Sequence, residues 1–292
     1  MEPVREIVRN MEIVCGGDRY VLAVQREDFS AVYPGMVRYS VTITRDGRPE
    51  AVFRTNSYEY SPLVPIRAEE VAMATADAWE AGLRADPVAF PEGYRPGPLP
   101  HPVPLLTDLV VIQGSPRGDG NCSILAGWAT DAARDLGRTV QVIYPHDLDI
   151  HCCIGCYQCY NTGFCVFADD MTGIIDVIRG ASVIVICSPV YTFTVPAGLK
   201  LVLDRSQAYH AERVLTGGRN GQKGLVMVVA GRQGEANFTC VTRVLSAFFA
   251  NLGIAYAGEI LIDRVDATRD IRVTTGLGDK VREAVKRCLA GK

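Results

Sequence analysis

Cys153, Cys156, Cys159 and Cys165 form the run C-x2-C-x2-C-x5-C, with Gly155 and Gly163 placed where the chain must bend between them. Three thiols at every third residue, with a fourth close behind, suit three chemistries. Iron–sulfur clusters take four Cys thiolates and often draw three from a C-x2-C-x2-C run. A structural zinc ion also takes four thiolates, more often from two separated knuckles. Close thiol pairs can also cycle to disulfides with no metal at all. The spacing favours the cluster and leaves the other two open. Cys152 is a spare neighbour, because adjacent residues rarely point into one site. His151 abuts the run and reads as a surface histidine, and Asp169 and Asp170 read as caps of the following helix.

A second set of residues suits an anion. Gly114-Ser115-Pro116-Arg117-Gly118-Asp119-Gly120-Asn121-Cys122-Ser123 has neither the G-x-G-x-x-G dinucleotide spacing nor the Lys-Ser/Thr of a Walker loop. Its glycines let backbone N–H groups converge, and a following helix would offer its positive end. Ser115 and Ser123 carry hydroxyl donors, and Arg117 carries charge. From this stretch alone, a plain turn with Asn121 as helix cap reads as well as an anion loop.

The elements that must position these residues alternate. Asp108–Gln113, Thr139–Tyr144, Ser182–Cys187, Gly224–Ala230 and Ala255–Ile262 read as strands. Helices are predicted over Asn121–Leu136, Thr172–Arg179, Pro196–Tyr209, Ala236–Leu252 and Lys280–Leu289. Near-continuous Val/Ile runs mean strands buried on both faces, hence a parallel sheet between helix layers. The fold class is therefore α/β, a flavodoxin-like, doubly wound, five-stranded parallel sheet spanning 105–292. Ligands of such sheets bind at the carboxyl ends of the strands. The loop after the fourth strand, Ala230 to Gly234, ends at that same edge, where Gly231 permits close approach and Arg232 offers a cation.

Seven prolines between Pro87 and Pro104 mark 87–104 as an extended linker. Before it, residues 1–86 read as a small α+β domain. Its strands are Tyr20–Gln25, Val37–Thr44 and Glu50–Thr55, its hairpin turn Asp46-Gly47, and its amphipathic helix Ile66–Leu83. No chemical constellation is visible there, and Cys15 reads as a structural thiol. The whole chain has 292 residues, 48% hydrophobic and 22% charged, with net charge −3. That balance argues against nucleic acid or an anionic membrane as the main partner. No apolar run of about 18 residues suggests a membrane span. Met1–Asn10 lacks a signal-peptide core. Five of the ten cysteines lie between Cys152 and Cys165. Clustered thiols of that kind suit a reducing, cytoplasmic setting.

The motif G-S-P-R-x-x-G-N at Gly114–Asn121 resembles the FMN-phosphate loop of the NADPH-dependent FMN reductase family. Ser188-Pro189-Val190-Tyr191, then Val195-Pro196-Ala197-Gly198-Leu199-Lys200 and Asp204-Arg205, resemble that family's S-P-x-Y loop and helix. The compact cysteine run followed by Asp169-Asp170-Met171 is similar to the iron–sulfur flavoproteins, a branch of the same family. The resemblance covers about residues 107–205. It implies FMN held by Ser115, Arg117, Gly120, Asn121, Cys122, Ser123, Pro189, Val190, Tyr191, Phe193, Gly231 and Arg232. Tyr191 and Phe193 would wall the flat ring, and Arg232 would face an anionic flavin or a nucleotide phosphate. It also implies a [4Fe–4S] cluster on Cys153, Cys156, Cys159 and Cys165. One departure stands out: Cys122 occupies a position usually Thr or Ser, so a weaker phosphate contact is expected there.

The implied function is an FMN-dependent oxidoreductase. Electrons would come from NAD(P)H or a ferredoxin and pass to a quinone, a carrier or a small organic acceptor. The protein would bind and tune the flavin rather than supply catalytic side chains of its own. The resemblance further implies a homodimer or homotetramer. Two other readings are a cluster-free NAD(P)H-dependent FMN or quinone reductase and a non-catalytic electron carrier. The reductase-type loop favours an enzyme over a carrier.

Overall fold

The structure, a computed structural model, describes residues 3–31, 33–90, 105–216 and 221–290. Internal contacts group the chain into two compact units. One takes Met1–His101 with Ile154–Val166, the other Pro102–Cys153 with Phe167–Lys292. The first opens with β1 (Val4–Cys15), β2 (Asp18–Asp28), β3 (Val37–Arg45), β4 (Arg48–Asn56) and helix α1 (Ala68–Ala85). The second begins with β5 (Thr107–Gln113), α2 (Asn121–Arg134) and β6 (Val140–Ile143). A one-turn helix, α3 (Cys159–Thr162), belongs to the first unit. The second continues with α4 (Met171–Gly180), β7 (Ala181–Pro189), α5 (Ala197–Arg205), α6 (Gln207–Thr216) and β8 (Lys223–Val229). It closes with α7 (Thr239–Asn251), β9 (Ala255–Ile262), α8 (Val265–Thr268) and α9 (Leu277–Ala290).

In the first unit the four strands pair antiparallel in the order β1-β2-β3-β4. Alternate residues of β2 and β3, Tyr20, Leu22, Val24, Val41 and Ile43, are buried against Ala72, Ala76, Trp79 and Leu83 of α1. Side chains two apart on a strand share a face, and those three or four apart share a helix stripe, so the two patterns meet in one core. Asp46 and Gly47, both at positive φ, form the expected hairpin turn. Strand β1 was not expected. It is an edge strand in which charged residues interrupt the apolar ones, and Val4, Ile7 and Val14 are exposed, so no buried alternation announces it. The linker reading over 91–104, with His101, lies outside the described residues.

In the second unit five parallel strands run in the order β6-β5-β7-β8-β9. Leu109, Val111, Val183, Val185, Leu225 and Met227 pack on one face with Leu125 and Ala129 of α2 and Val281 and Val285 of α9. The intervening residues Val110, Ile112, Ile184, Ile186, Val226 and Val228 are buried as well. Burial on both faces is why these strands read as apolar runs. Strand order reverses between β5 and β7, the switch point where such sheets take ligands. The single helix expected over Pro196–Tyr209 is instead two. Ser206 Oγ donates to the Val202 carbonyl at 2.7 Å, and the helix breaks there before α6.

Candidate active site

The loop after β5 braces itself. Gln113, fully buried at the strand end, accepts from the Ser115 N–H (2.7 Å) and donates through Nε2 to Ser123 Oγ (2.7 Å) and the Arg117 carbonyl (3.2 Å). Ser115 Oγ accepts from the Arg117 N–H, and Ser123 Oγ donates to the Arg117 carbonyl. Gly114 donates to the Cys187 carbonyl at 2.8 Å, and a Cβ on it would lie 2.7 Å from Leu199 Cδ2. Only glycine lets the loop sit that close to α5. Among the described residues, the backbone N–H groups of Gly118, Asp119, Asn121 and Cys122 have no partner. They cluster at the N-terminal end of α2, whose dipole favours an anion. Arg117 stands exposed beside them.

Three residues expected at the cofactor have their side chains engaged elsewhere. Asn121 donates to the Arg269 carbonyl and accepts from the Ile271 N–H, pinning the segment after α8. Ser123 closes the loop. Cys122 is 2% exposed within the apolar core, and burial pushes its thiol up to about 12. Its thiol is turned into the core, and what this stretch presents at the helix start is its open N–H groups.

The loop after β7 turns within two residues. Tyr191 and Thr194 exchange backbone hydrogen bonds at 2.8 and 2.9 Å, with Thr192 and Phe193 between them at φ 46° and 61°. Left-handed backbone is costly for a β-branched and an aromatic residue and concentrates at functional sites. It holds Tyr191 and Phe193 out of the core, 40% and 54% exposed. Pro189 and Val190 are half-buried beneath, with the Val190 N–H on the Val229 carbonyl. The loop after β8 follows at the same edge. Gly231 lies so close to Asp266 that a Cβ would fall 2.2 Å from its Oδ2, and Arg232 is exposed. His146 Nε2 lies 3.3 Å from the Gly114 carbonyl.

The cysteine segment leaves the second unit from a closed stem. Asp169 and Arg205 form a two-pronged ion pair at 2.6 and 3.0 Å, with side chains 2% and 1% exposed. Asp169 also accepts from the His151 N–H (2.9 Å), and Arg205 donates to the His151 carbonyl (2.8 Å). The His151 ring stacks on Phe167, and Arg205 lies over the same ring. Burial alone would raise the Asp169 carboxyl. The Arg205 guanidinium and the His151 and Met171 N–H groups outweigh it and hold the pKa at about 2. The capping expectation is corrected accordingly. Asp169 does accept from the Met171 N–H, but its main partner is Arg205, and Asp170 bonds the Asp149 N–H instead of its own helix.

Between the stems, Cys152 and Cys153 are exposed, Cys156 and Cys165 half-buried and Cys159 buried. Gly155 and Tyr157 at positive φ, and Gly163 at φ 82° closing α3, bend the chain between the cysteines. Residues 154–166 join the first unit rather than the sheet domain in which the sequence reading placed them. The reason is polar: Arg38 donates to the Tyr160 carbonyl, Asn56 to Asn161, and Gln158 to Glu59. Those three anchors on the N-terminal sheet carried no sequence signal.

The open N–H groups, the close-packed Gly114 and the outward aromatics fit a phosphorylated flavin. Among the described residues no three His, Cys, Asp or Glu side chains are gathered as around a metal ion. The donor chemistry of four cysteines on a bent segment nevertheless suits iron–sulfur ligation. No helix among the described residues is long and apolar enough to cross a membrane.

Residues 107–263 match the family described as NADPH-dependent FMN reductase. An iron–sulfur flavoprotein of Methanocaldococcus jannaschii is 30% identical over 194 residues, 61% of this chain and 97% of its own. One from Archaeoglobus fulgidus is 30% identical over 177 residues, 60% of this chain and 79% of its own. An FMN-dependent NADH-azoreductase from Bacillus anthracis superposes with a TM-score of 0.48 at 16% identity, over 62% of this chain and 99% of its own. With an FMN-type phosphate loop at the sheet's switch point and more than half the chain matched, this protein belongs to the NADPH-dependent FMN reductase family, in its iron–sulfur flavoprotein branch, and is an NAD(P)H-dependent flavin oxidoreductase.

Proposed function

We propose that this chain binds FMN and a [4Fe–4S] cluster and moves electrons between NAD(P)H or a reduced ferredoxin and a quinone, a protein carrier or a small organic acceptor. When bound, FMN supplies two-electron acceptance and one-electron release, and the cluster supplies one-electron transfer. The observation that carries this reading is the pairing, in one chain, of four cysteines at C-x2-C-x2-C-x5-C with a loop at a helix start whose N–H groups at 118, 119, 121 and 122 are open.

The chain's own residues bind and orient. The open amides and Arg117 take the phosphate, with Ser115 and Ser123 holding the loop's shape. Tyr191 and Phe193 wall the ring, resting on Pro189 and Val190. Gly231 lets the loop after β8 lie close against Asp266 beside the site, and Arg232 offers positive charge to a reduced flavin or a nucleotide phosphate. Gly120 brings the chain into α2. Cys153, Cys156, Cys159 and Cys165 hold the iron. A homodimer or homotetramer is the expected assembly.

Protein purified without oxygen tests the reading. Yellow flavin absorbance, four irons and four sulfides per chain, and NAD(P)H oxidation with a quinone are expected together. Flavin without iron would reduce the protein to a cluster-free reductase. Rapid exchange with ferredoxin but no turnover with any acceptor would make it a carrier.

A further inference from the structure

The family match begins at residue 107, so nothing in it accounts for the N-terminal sheet. That sheet nonetheless makes a specific set of buried polar bonds to residues 157–161. Asn56, fully buried, donates through Nδ2 to Asn161 Oδ1 at 2.9 Å, while its Oδ1 accepts from the Tyr58 N–H at 3.0 Å. Glu59 accepts from Gln158 Nε2 at 2.7 Å and from Asn161 Nδ2. Arg38, 8% exposed at its side chain, donates through Nη1 to the Tyr160 carbonyl at 2.8 Å. Its other nitrogens engage Glu27 at 2.6 and 2.7 Å. Tyr33, Tyr58, Tyr157 and Tyr160 pack edge to face or tilted around these bonds, with centroids 4.9 to 6.2 Å apart.

Burying a guanidinium and two carboxamides is unfavourable unless every partner is supplied. An apolar contact would hold the segment to the sheet without fixing its rotation. Directed hydrogen bonds to one carbonyl and two amides fix the rotation of α3 as well as its place. Cys159 opens α3, and Cys156 lies one residue before Tyr157. We propose that the N-terminal sheet is a built-in holder for the cysteine segment, in which Arg38, Asn56 and Glu59 are positioning residues for Cys156 and Cys159. The inference rests on the cluster reading above for its purpose, and on the buried bonds alone for its mechanics.

Full-length protein made without oxygen tests it through Asn56→Ala, Arg38→Met and Arg38→Lys, with the exposed Arg19→Ala as control. Iron and sulfide are measured per FMN. Separately, iron-free protein is alkylated and followed by mass spectrometry, with the exposed Cys152 as an internal clock. Iron per FMN is expected to fall several-fold in Asn56→Ala and Arg38→Met and to recover in part in Arg38→Lys, which keeps one charged donor. FMN per chain is expected to stay constant. Alkylation of Cys159 is expected to rise about tenfold over Cys152, the scale of losing one buried hydrogen bond from a local opening equilibrium. Wild-type iron and wild-type Cys159 rates in both Asn56→Ala and Arg38→Met would overturn the proposal. If the wild type itself holds no iron, the cluster reading fails alone, and the alkylation arm still decides: faster Cys159 labelling upholds the holder, an unchanged rate removes it. Arg38→Lys keeps the test open if Arg38→Met does not fold.

Discussion

The phosphate loop and the cysteine segment are held in opposite ways. The bend over Gly114–Ser123 is braced chiefly from within: Gln113, Ser115, Arg117 and Ser123 bond one another across at most ten residues, while its two ends reach out, Gly114 to Cys187 and Asn121 to Arg269 and Ile271. The cysteine segment is braced by strangers. Its middle is tied to Arg38, Asn56 and Glu59, about a hundred residues upstream, and its stem to Arg205, 36 residues beyond Asp169. A self-braced loop can be recognised as a motif, because the residues that shape it travel with it. A loop braced from afar shows only its chemistry. The consequence is also energetic. Damage to the first should stay local, whereas damage to the second should spread into the elements that hold it.

The stem carries the largest expected effect. Asp169→Asn leaves the Arg205 guanidinium charged and buried beside a neutral amide. Breaking one partner of a buried pair costs about 3–5 kcal/mol. Denaturant unfolding of the full chain should show that loss, and a cost below about 1 kcal/mol, the scale of an exposed pair, would break the contrast with the phosphate loop. Acid dependence sharpens the same point. The Asp169 carboxyl lies at about 2 when folded against an ordinary 3.8, so folding favours its ionised form. The stabilisation is full above the ordinary value and is lost as pH falls through the folded one, a window of about 4 to 2 worth roughly 2 kcal/mol. Unfolding midpoints measured across that window should fall more steeply in the wild type than in Asp169→Asn.

The difference between the two regions also explains what the sequence could and could not reveal. The parallel sheet and its buried central strands were legible because Val/Ile runs such as Ser182–Cys187 report burial on both faces. The bend after β5 was legible because Gly114 and Gly120 mark the backbone's path. The directions of Asn121, Cys122 and Ser123 were not, since all three are polar or small and follow a helix start. Only packing distinguishes the thiol turned into the core from the hydroxyl turned back to the loop. Strand β1 was hidden because an edge strand need not alternate. The Asp169–Arg205 pair was hidden because both residues had a sufficient local explanation, one as a helix cap, the other as part of a helix motif. Arg38, Asn56 and Glu59 look like any polar residues of a small sheet until their partners are seen.

Gly114→Ala tests the self-braced region. Its Cβ would lie 2.7 Å from Leu199 Cδ2 and 3.2 Å from the Cys187 carbonyl. The leucine end can yield but the strand carbonyl cannot, so the loop must shift at a cost of about 1–3 kcal/mol, the range of an overpacked site. FMN titration followed by flavin fluorescence should show affinity down about tenfold or more, and iron per chain should be untouched. Loss of iron in the same variant would mean that the two regions are not braced independently.

The smallest effect is also the most discriminating. Phe193 and Thr192 sit in left-handed backbone with no glycine to relieve them. Phe193→Gly removes that strain, about 1–2 kcal/mol for an L-residue. It also adds freedom to the unfolded chain that takes back roughly 0.5–1 kcal/mol. The net change in stability is a gain of a few tenths to about 1 kcal/mol. FMN binding should move the other way, because the exposed ring proposed to wall the flavin is gone. A thermal midpoint that rises while FMN affinity falls means that the turn stores strain to present an aromatic platform. A midpoint that falls with affinity unchanged would mean that Phe193 serves packing alone, and the loop after β7 would lose its place beside the phosphate loop as a region shaped for the flavin.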